Sequence, residues 1–228
     1  MSRFSAATAR SSLLHTAVFR FASQAATLAS YVVLVRGMSE QDFGVLNVLY
    51  AIIPVVGTVA SLGIEQTLRR FQPEYLRADQ RELAAWLVRV ASLARAATNV
   101  VFLAVVLLGW SMLAPVFKIG PYRAEFLLFS FLILLHFQAG ILQLSLSSHM
   151  LHRFSVGLLI VPGLVKLGGY AVLSQANGLT IMTAIVVDAA GYALMFGGLW
   201  IAHRRFCVPR PPPPLRFGVA PQERWRLL

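Results

Sequence analysis

The chain has 228 residues, of which 57% are hydrophobic and only 13% are charged, and its mean hydropathy is +0.70. A soluble domain carries about 25% charged residues, so this composition excludes a soluble globular domain and predicts an all-α integral membrane protein. The formal net charge of +11 does not indicate nucleic-acid binding, because the arginines lie between apolar runs and form no aromatic and basic binding module. Cys207 is the only cysteine in the sequence, which excludes an intrachain disulfide and a cysteine-based zinc site.

Six apolar runs are each long enough to cross a bilayer as a helix, which requires about 20 residues. The runs are continuous, whereas the strands of a membrane barrel would alternate in shorter segments. The predicted spans cover residues 13–35, 43–64, 91–116, 124–146, 156–175 and 179–202. The sequence therefore predicts a six-transmembrane-helix bundle over residues 1–206. A proline- and arginine-rich cytoplasmic linker over residues 207–228 follows, ending in what resembles the start of a further helix.

The orientation of this bundle follows from the distribution of Lys and Arg among the loops between the spans, because these residues are enriched in loops on the cytoplasmic side. If the N-terminus is cytoplasmic, the opposite side receives only Arg36, Lys118 and Arg123. The cytoplasmic side then receives Arg3, Arg10, Arg69, Arg70, Arg77, Arg81, Arg153, Arg204, Arg205, Arg210, Arg216, Arg224 and Arg226. We therefore expect a multi-pass protein of the inner (plasma) membrane with both termini in the cytoplasm.

Polar side chains recur at helical spacing inside the predicted spans, where they usually face a bundle interior or a pathway. Arg20 and Gln24 stack in the first span, and Lys166 lies in the middle of the fifth. These three are predicted to line a cationic cavity, with Asp188 and Glu65 as ion-pairing or coupling residues. Lys166 and Asp188 lie at similar depths in adjacent antiparallel helices, which predicts an ion pair between them. Two alternatives stay open: the uncharged polar residues only join helices, or Lys166 faces the cavity without Asp188.

Catalytic chemistry has little support in the sequence. Glu65 and Asp188, the acidic residues of the candidate site, belong to different helices. No paired carboxylates, activated serine arrangement or glycine-rich phosphate loop is present. His149 and His152 have a ligand-like spacing but no third ligand in reach. The sequence therefore predicts no enzyme, no metal site and no cofactor.

Two joints between the spans resemble those of a known transporter family. The run from Met38 to Gly44 (MSEQDFG) is similar to the loop that opens the second helix in polysaccharide-biosynthesis, O-antigen-type flippases. The run LGI at residues 62–64, followed by TLRRFQPEY at residues 67–75, resembles the first cytoplasmic loop of the same family. This family belongs to the multidrug/oligosaccharidyl-lipid/polysaccharide exporter superfamily. The motifs cover roughly residues 12–80, and the later spans match in hydropathy and order only.

The resemblance implies two six-helix bundles around a cavity that opens alternately to each side of the membrane. It implies a polyprenyl-pyrophosphate-linked oligosaccharide as cargo, for which Arg20 and Lys166 would supply positive charge, although neither matches a family motif. Because the family has about twelve helices or more, the chain resembles an N-terminal half. We expect it to be a truncated fragment or to pair with another copy. A drug or small-solute exporter of the same superfamily, or a non-transporting membrane scaffold, are the alternatives.

Overall fold

The computed structural model describes residues 6–61, 63–117 and 120–208. These residues form helices and turns, and no strand occurs among them. A single turn of 3₁₀ helix at Gly120–Tyr122 precedes α6. The helices are α1 (Ala6–Gly37), α2 (Glu40–Ser61), α3 (Ile64–Arg77), α4 (Arg81–Leu108), α5 (Trp110–Phe117), α6 (Arg123–Ser148), α7 (His152–Gly157), α8 (Ile160–Gln175) and α9 (Ile181–Phe206).

Five helical stretches of the described chain are long and apolar enough to cross a membrane, which fits a multi-pass membrane protein. They are Leu14–Gly37, Arg81–Leu108, Gly120–Ser148, Phe154–Gln175 and Ile181–Phe206. The second predicted span, residues 43–64, corresponds to α2, which is not among these five. The bounds of the third also differ from those of the sequence analysis, because α4 already begins at Arg81 and Gly109 separates it from α5.

The joint after α2 is itself helical. Gly63 adopts the left-handed conformation with φ of 73°, which glycine enters without steric cost, and it separates α2 from α3. One face of α3 is buried through Leu68 and Gln72, and Gln72 Nε2 donates a 2.8 Å hydrogen bond to Ser145 Oγ of α6. The α3 helix is therefore fixed against the bundle.

The hydrophobic core lies where α6 and α9 pack together, around Phe129, Leu132 and Ile185, which are fully buried. The α1 helix packs against α8 at Gly163, where an added Cβ would lie 3.1 Å from Ala26 Cβ. Many large apolar side chains on the outer faces are exposed, Leu14, Phe21, Leu28, Leu93, Val101 and Val105 among them. Such faces are suited to contact with lipid, which is as apolar as they are.

The turn between α8 and α9 sets these two helices antiparallel. Asn177 lies in the left-handed region with φ of 52°, a conformation that Asn tolerates. Thr180 then caps α9: its hydroxyl accepts from Thr183 N–H, and the Thr183 hydroxyl accepts from Thr180 N–H. The short turn brings the middle of α8 beside the middle of α9.

Candidate functional site

A polar cavity of about 400 Å³ lies inside the bundle between α1, α3, α6, α8 and α9. We call it the inner cavity. Its polar lining includes Ser23, Gln24, Thr27, Glu65, His136, Gln143, Lys166 and Tyr192. Five helices thus contribute polar groups to one space in a chain that is otherwise strongly apolar.

The innermost charged group of the cavity is Lys166, and it is ion-paired. Its Nζ lies 2.9 Å from Asp188 Oδ2, and the Asp188 side chain is fully buried. Tyr170 donates a 2.5 Å hydrogen bond to the other carboxylate oxygen. The Lys166 ammonium also lies 5.3 Å from the ring centroid of Tyr50 and 5.5 Å from that of Tyr192. The pair predicted from depth in the two helices is therefore present, and Lys166 borders the cavity as well.

Glu65 has a partner that the sequence analysis did not identify. Arg95 Nη2 of α4 lies 3.8 Å from Glu65 Oε1, and the Arg95 side chain is 2% exposed. The guanidinium lies 3.9 Å from the ring centroid of Phe137, a cation–π geometry. None of its nitrogens has a hydrogen-bond partner within the described part of the chain. A buried cation on α4 is thus paired with Glu65, a carboxylate that lines the inner cavity.

A second, larger space of about 810 Å³ adjoins the inner cavity and shares Glu65, Gly140 and Gln143 with it. We call it the basic vestibule, because Arg20, Arg69 and Arg77 line it together with His152. The three arginines are exposed. Those on α3 lie four and twelve residues after Glu65, so the three side chains fall within an arc of about 120° of the helix surface. One basic surface therefore leads into the inner cavity.

At the opposite end of the site α1 and α2 are in contact. Tyr31 of α1 donates a 3.2 Å hydrogen bond to Asn47 Oδ1 of α2. Its ring packs edge-on against Phe43, with 5.4 Å between the ring centroids. Near the same end, a Cβ on Gly37 would lie 2.8 Å from Leu179. The helices thus contact one another at the Gly37 end, and the basic vestibule lies at the Arg20 end.

The predicted site residues occupy different levels of this arrangement. Gln24 and Lys166 line the inner cavity, Arg20 lines the basic vestibule, and Glu65 borders both. Asp188 lies behind Lys166 and balances its charge, so the unbalanced positive charge is in the vestibule. The spacing of Glu65, Arg69 and Arg77, at steps of four and eight residues, could have indicated the vestibule, since α3 is amphipathic. No protein-family model, no curated protein and no solved structure matches this chain.

Proposed function

We propose that the chain is one bundle of a two-bundle transporter that flips a lipid-linked oligosaccharide across the cytoplasmic membrane. The observation that carries the proposal is the basic vestibule of Arg20, Arg69 and Arg77, which leads into a polar cavity between lipid-facing helices. This arrangement suits a molecule with an anionic polar head and a long apolar tail, such as a polyprenyl-pyrophosphate-linked repeat unit.

Arginine is well matched to a diphosphate, because its planar guanidinium donates paired hydrogen bonds to phosphate oxygens. The three arginines are exposed rather than ion-paired inside the core, so they can bind a head group without first losing a buried partner. The outer face of α1 carries Leu14, Phe21 and Leu28, which are exposed. A polyprenyl tail can therefore remain in lipid beside α1 while its head group occupies the vestibule.

The proposed orientation places the vestibule on the cytoplasmic side, in agreement with the distribution of Lys and Arg along the sequence. Gln24 and Thr27 are exposed on α1, although they belong to an apolar membrane-crossing stretch. Exposed polar groups at that depth need a water-filled cavity or a protein neighbour. A second six-helix bundle, such as that of another copy of the chain, would supply the facing wall.

The six-span topology requires α2 to cross the membrane, and this is directly testable. Glu40 and Gln80 are exposed and precede and follow the α2–α3 segment. If α2 spans the bilayer, Glu40→Cys and Gln80→Cys react with a membrane-impermeant maleimide from opposite sides of the cell membrane. Labelling of both from the same side would contradict the six-span bundle.

The proposed transport is tested in proteoliposomes that hold the full chain and a lipid-linked oligosaccharide with a fluorescent sugar. Transfer between leaflets is followed by the loss of lectin or quencher access to that sugar. Substitution of Arg20, Arg69 and Arg77 by Gln together should lower the rate at least about tenfold, since one charge-assisted hydrogen bond contributes about 1.5–3 kcal/mol. Arg70→Gln is the matched control, because Arg70 lies on α3 over the Phe71 ring, outside the vestibule.

Two results would count against the flippase. One is a wild-type chain that leaves the lipid-linked sugar in its original leaflet. The other is a triple variant as fast as Arg70→Gln.

The same vesicles test a second candidate, a small-solute exporter, which is favoured by the volume of the inner cavity: about 400 Å³ lies within the range of drug-sized sites. Transport of neutral or cationic solutes that is insensitive to the three arginines would support that candidate.

A further inference from the structure

The Lys166 ammonium stands between the inner cavity and a carboxylate that has no access to it. Lys166 lines the cavity and its side chain is 14% exposed. Asp188 is 0% exposed and is not part of the cavity lining. An anion that enters the inner cavity therefore meets Lys166 first, on the side away from Asp188.

Asp188 depends on Lys166 for its charge balance. Tyr170 donates one hydrogen bond to Oδ1. Oδ2 contacts the Lys166 ammonium at 2.9 Å and has no hydrogen-bond partner in the described part of the chain. A buried carboxylate that loses its only cationic neighbour is strongly destabilised in the charged form, and it is relieved by taking up a proton.

The titratable groups that lie around this pair are Tyr170 on α8, Tyr192 on α9, Tyr50 on α2 and His136 on α6. Glu65 on α3 borders the same cavity and lies beside Arg95 on α4. The α1 residues that line the cavity, Ser23, Gln24 and Thr27, are uncharged. Arg95 already faces Glu65, so it does not replace Lys166 beside Asp188. His136 borders the same cavity and is the competing proton acceptor.

We propose that binding of an anionic head group at Lys166 is coupled to uptake of one proton by Asp188. This rests on the proposed function, because it takes the anionic cargo from there and adds the ion that accompanies it. The Lys166 ammonium contacts a phosphate oxygen of the cargo, and its contact with Asp188 Oδ2 is weakened or replaced. One ammonium proton passes along the 2.9 Å contact to the carboxylate, and the Lys166 amine takes up a replacement proton from the solvent in the cavity. The net change is uptake of one proton, so two anions no longer compete for one cation. Cargo and proton then occupy the bundle together.

The test measures binding of a farnesyl diphosphate sugar diester to the full chain in lipid nanodiscs. Both phosphates of this diester are deprotonated well below the pH range used, so its charge is constant. Because binding takes up one proton, the dissociation constant of the wild type should rise about tenfold for each unit of pH, between about pH 6 and pH 8. Binding in weak buffer should also consume about one proton per bound diester, as read by a pH indicator.

Asp188→Asn carries the neutral form permanently. Its affinity should be independent of pH and equal to that of the wild type at low pH, with no proton consumed. His136→Gln should retain the pH dependence of the wild type. If Asp188→Asn does not fold, the indicator measurement on the wild type and on His136→Gln decides the question: uptake of one proton by both supports Asp188, and loss of uptake in His136→Gln overturns the inference.

The inference is overturned if the diester binds with the same affinity across this range and no proton is consumed. It is also overturned if the pH dependence survives in Asp188→Asn; its loss in His136→Gln would then assign the proton to the imidazole. Absence of any diester binding at every pH is a different failure, because it removes the anionic cargo and with it the proposed function.

Discussion

Removing one partner of the Lys166–Asp188 pair should be far more damaging than removing both. Lys166→Met keeps the length and apolar stem of the side chain but leaves Asp188 charged and 0% exposed. Asp188→Asn keeps the shape of the carboxylate and a hydrogen-bonding group for Tyr170. The double variant Lys166→Met/Asp188→Asn leaves a neutral pair in the same volume.

The magnitudes follow from the geometry. At 2.9 Å, two unit charges attract each other by about 6 kcal/mol at an effective dielectric constant of about 20. This is largely offset by a desolvation cost of several kcal/mol for each ion. The intact pair therefore contributes little net stability, and the double variant should lie within about 1 kcal/mol of the wild type. Lys166→Met should cost about 3–5 kcal/mol. Protonation limits this cost, since neutralising an ordinary Asp carboxyl at pH 7 takes about 4 kcal/mol.

The assay is a double-mutant cycle of thermal unfolding in detergent at neutral pH, repeated near pH 5. Asp188→Asn should cost less than Lys166→Met, because water in the cavity hydrates the remaining ammonium. Lowering the pH should reduce the cost of Lys166→Met, since protonation removes the unpaired charge. Additive single effects, or a double variant as unstable as Lys166→Met, would refute the reasoning that the pair balances two buried charges.

Three further predictions concern packing, backbone strain and thiol reactivity. Gly169→Ala should be about 1–3 kcal/mol less stable than the neighbouring Gly168→Ala. A Cβ at Gly169 would lie 2.6 Å from Val187 of α9, whereas one at Gly168 would meet nothing within 4 Å. Thermal unfolding compares the two variants. Met150 has φ of 60°, so Met150→Gly should raise the free energy of unfolding by about 0.5–1 kcal/mol. The control Met182→Gly in α9 should lower the free energy of unfolding by about 1 kcal/mol. Chemical denaturation gives the sign of each change. Burial raises the pKa of the Cys207 thiol to about 12, so only about one thiol in ten thousand is ionised at pH 8. Maleimide labelling of this thiol should therefore be slow at pH 8 and accelerate about tenfold per pH unit up to about pH 11. Rapid labelling at pH 8 would contradict the buried position.

The parts of the fold that follow from the sequence are those set by length and spacing. Apolar runs locate the five stretches that are long and apolar enough to cross a membrane, because a spanning helix requires high hydropathy averaged over about 20 residues. The equal depth of Lys166 and Asp188 also follows, since a fixed rise per residue and the short turn at Asn177 place both charges at one level. That the two side chains face each other does not follow from the sequence, because it depends on how α8 and α9 are rotated against one another.

The remaining contacts depend on how helices turn and tilt against one another. The Arg95–Glu65 pair requires α3 to leave α2 at Gly63 and to pack beside α4, which no hydropathy average contains. The vestibule was missed for a related reason. Arg69 and Arg77 alternate with buried Leu68 and other apolar positions of α3, so the averaged signal describes a polar joint and hides an amphipathic helix.

Photo-crosslinking tests the central claim, that an anionic lipid head group enters through the basic vestibule to the inner cavity. A photoreactive phenylalanine analogue is placed at Gln24, which lines the inner cavity, or at Val101, an exposed apolar position of α4. We predict that a lipid-linked oligosaccharide labelled on its sugar is captured at Gln24 and displaced by unlabelled compound. Capture should be lost when Arg20, Arg69 and Arg77 are replaced by Gln. Equal capture at Val101, or capture at Gln24 that survives loss of the three arginines, would contradict the account.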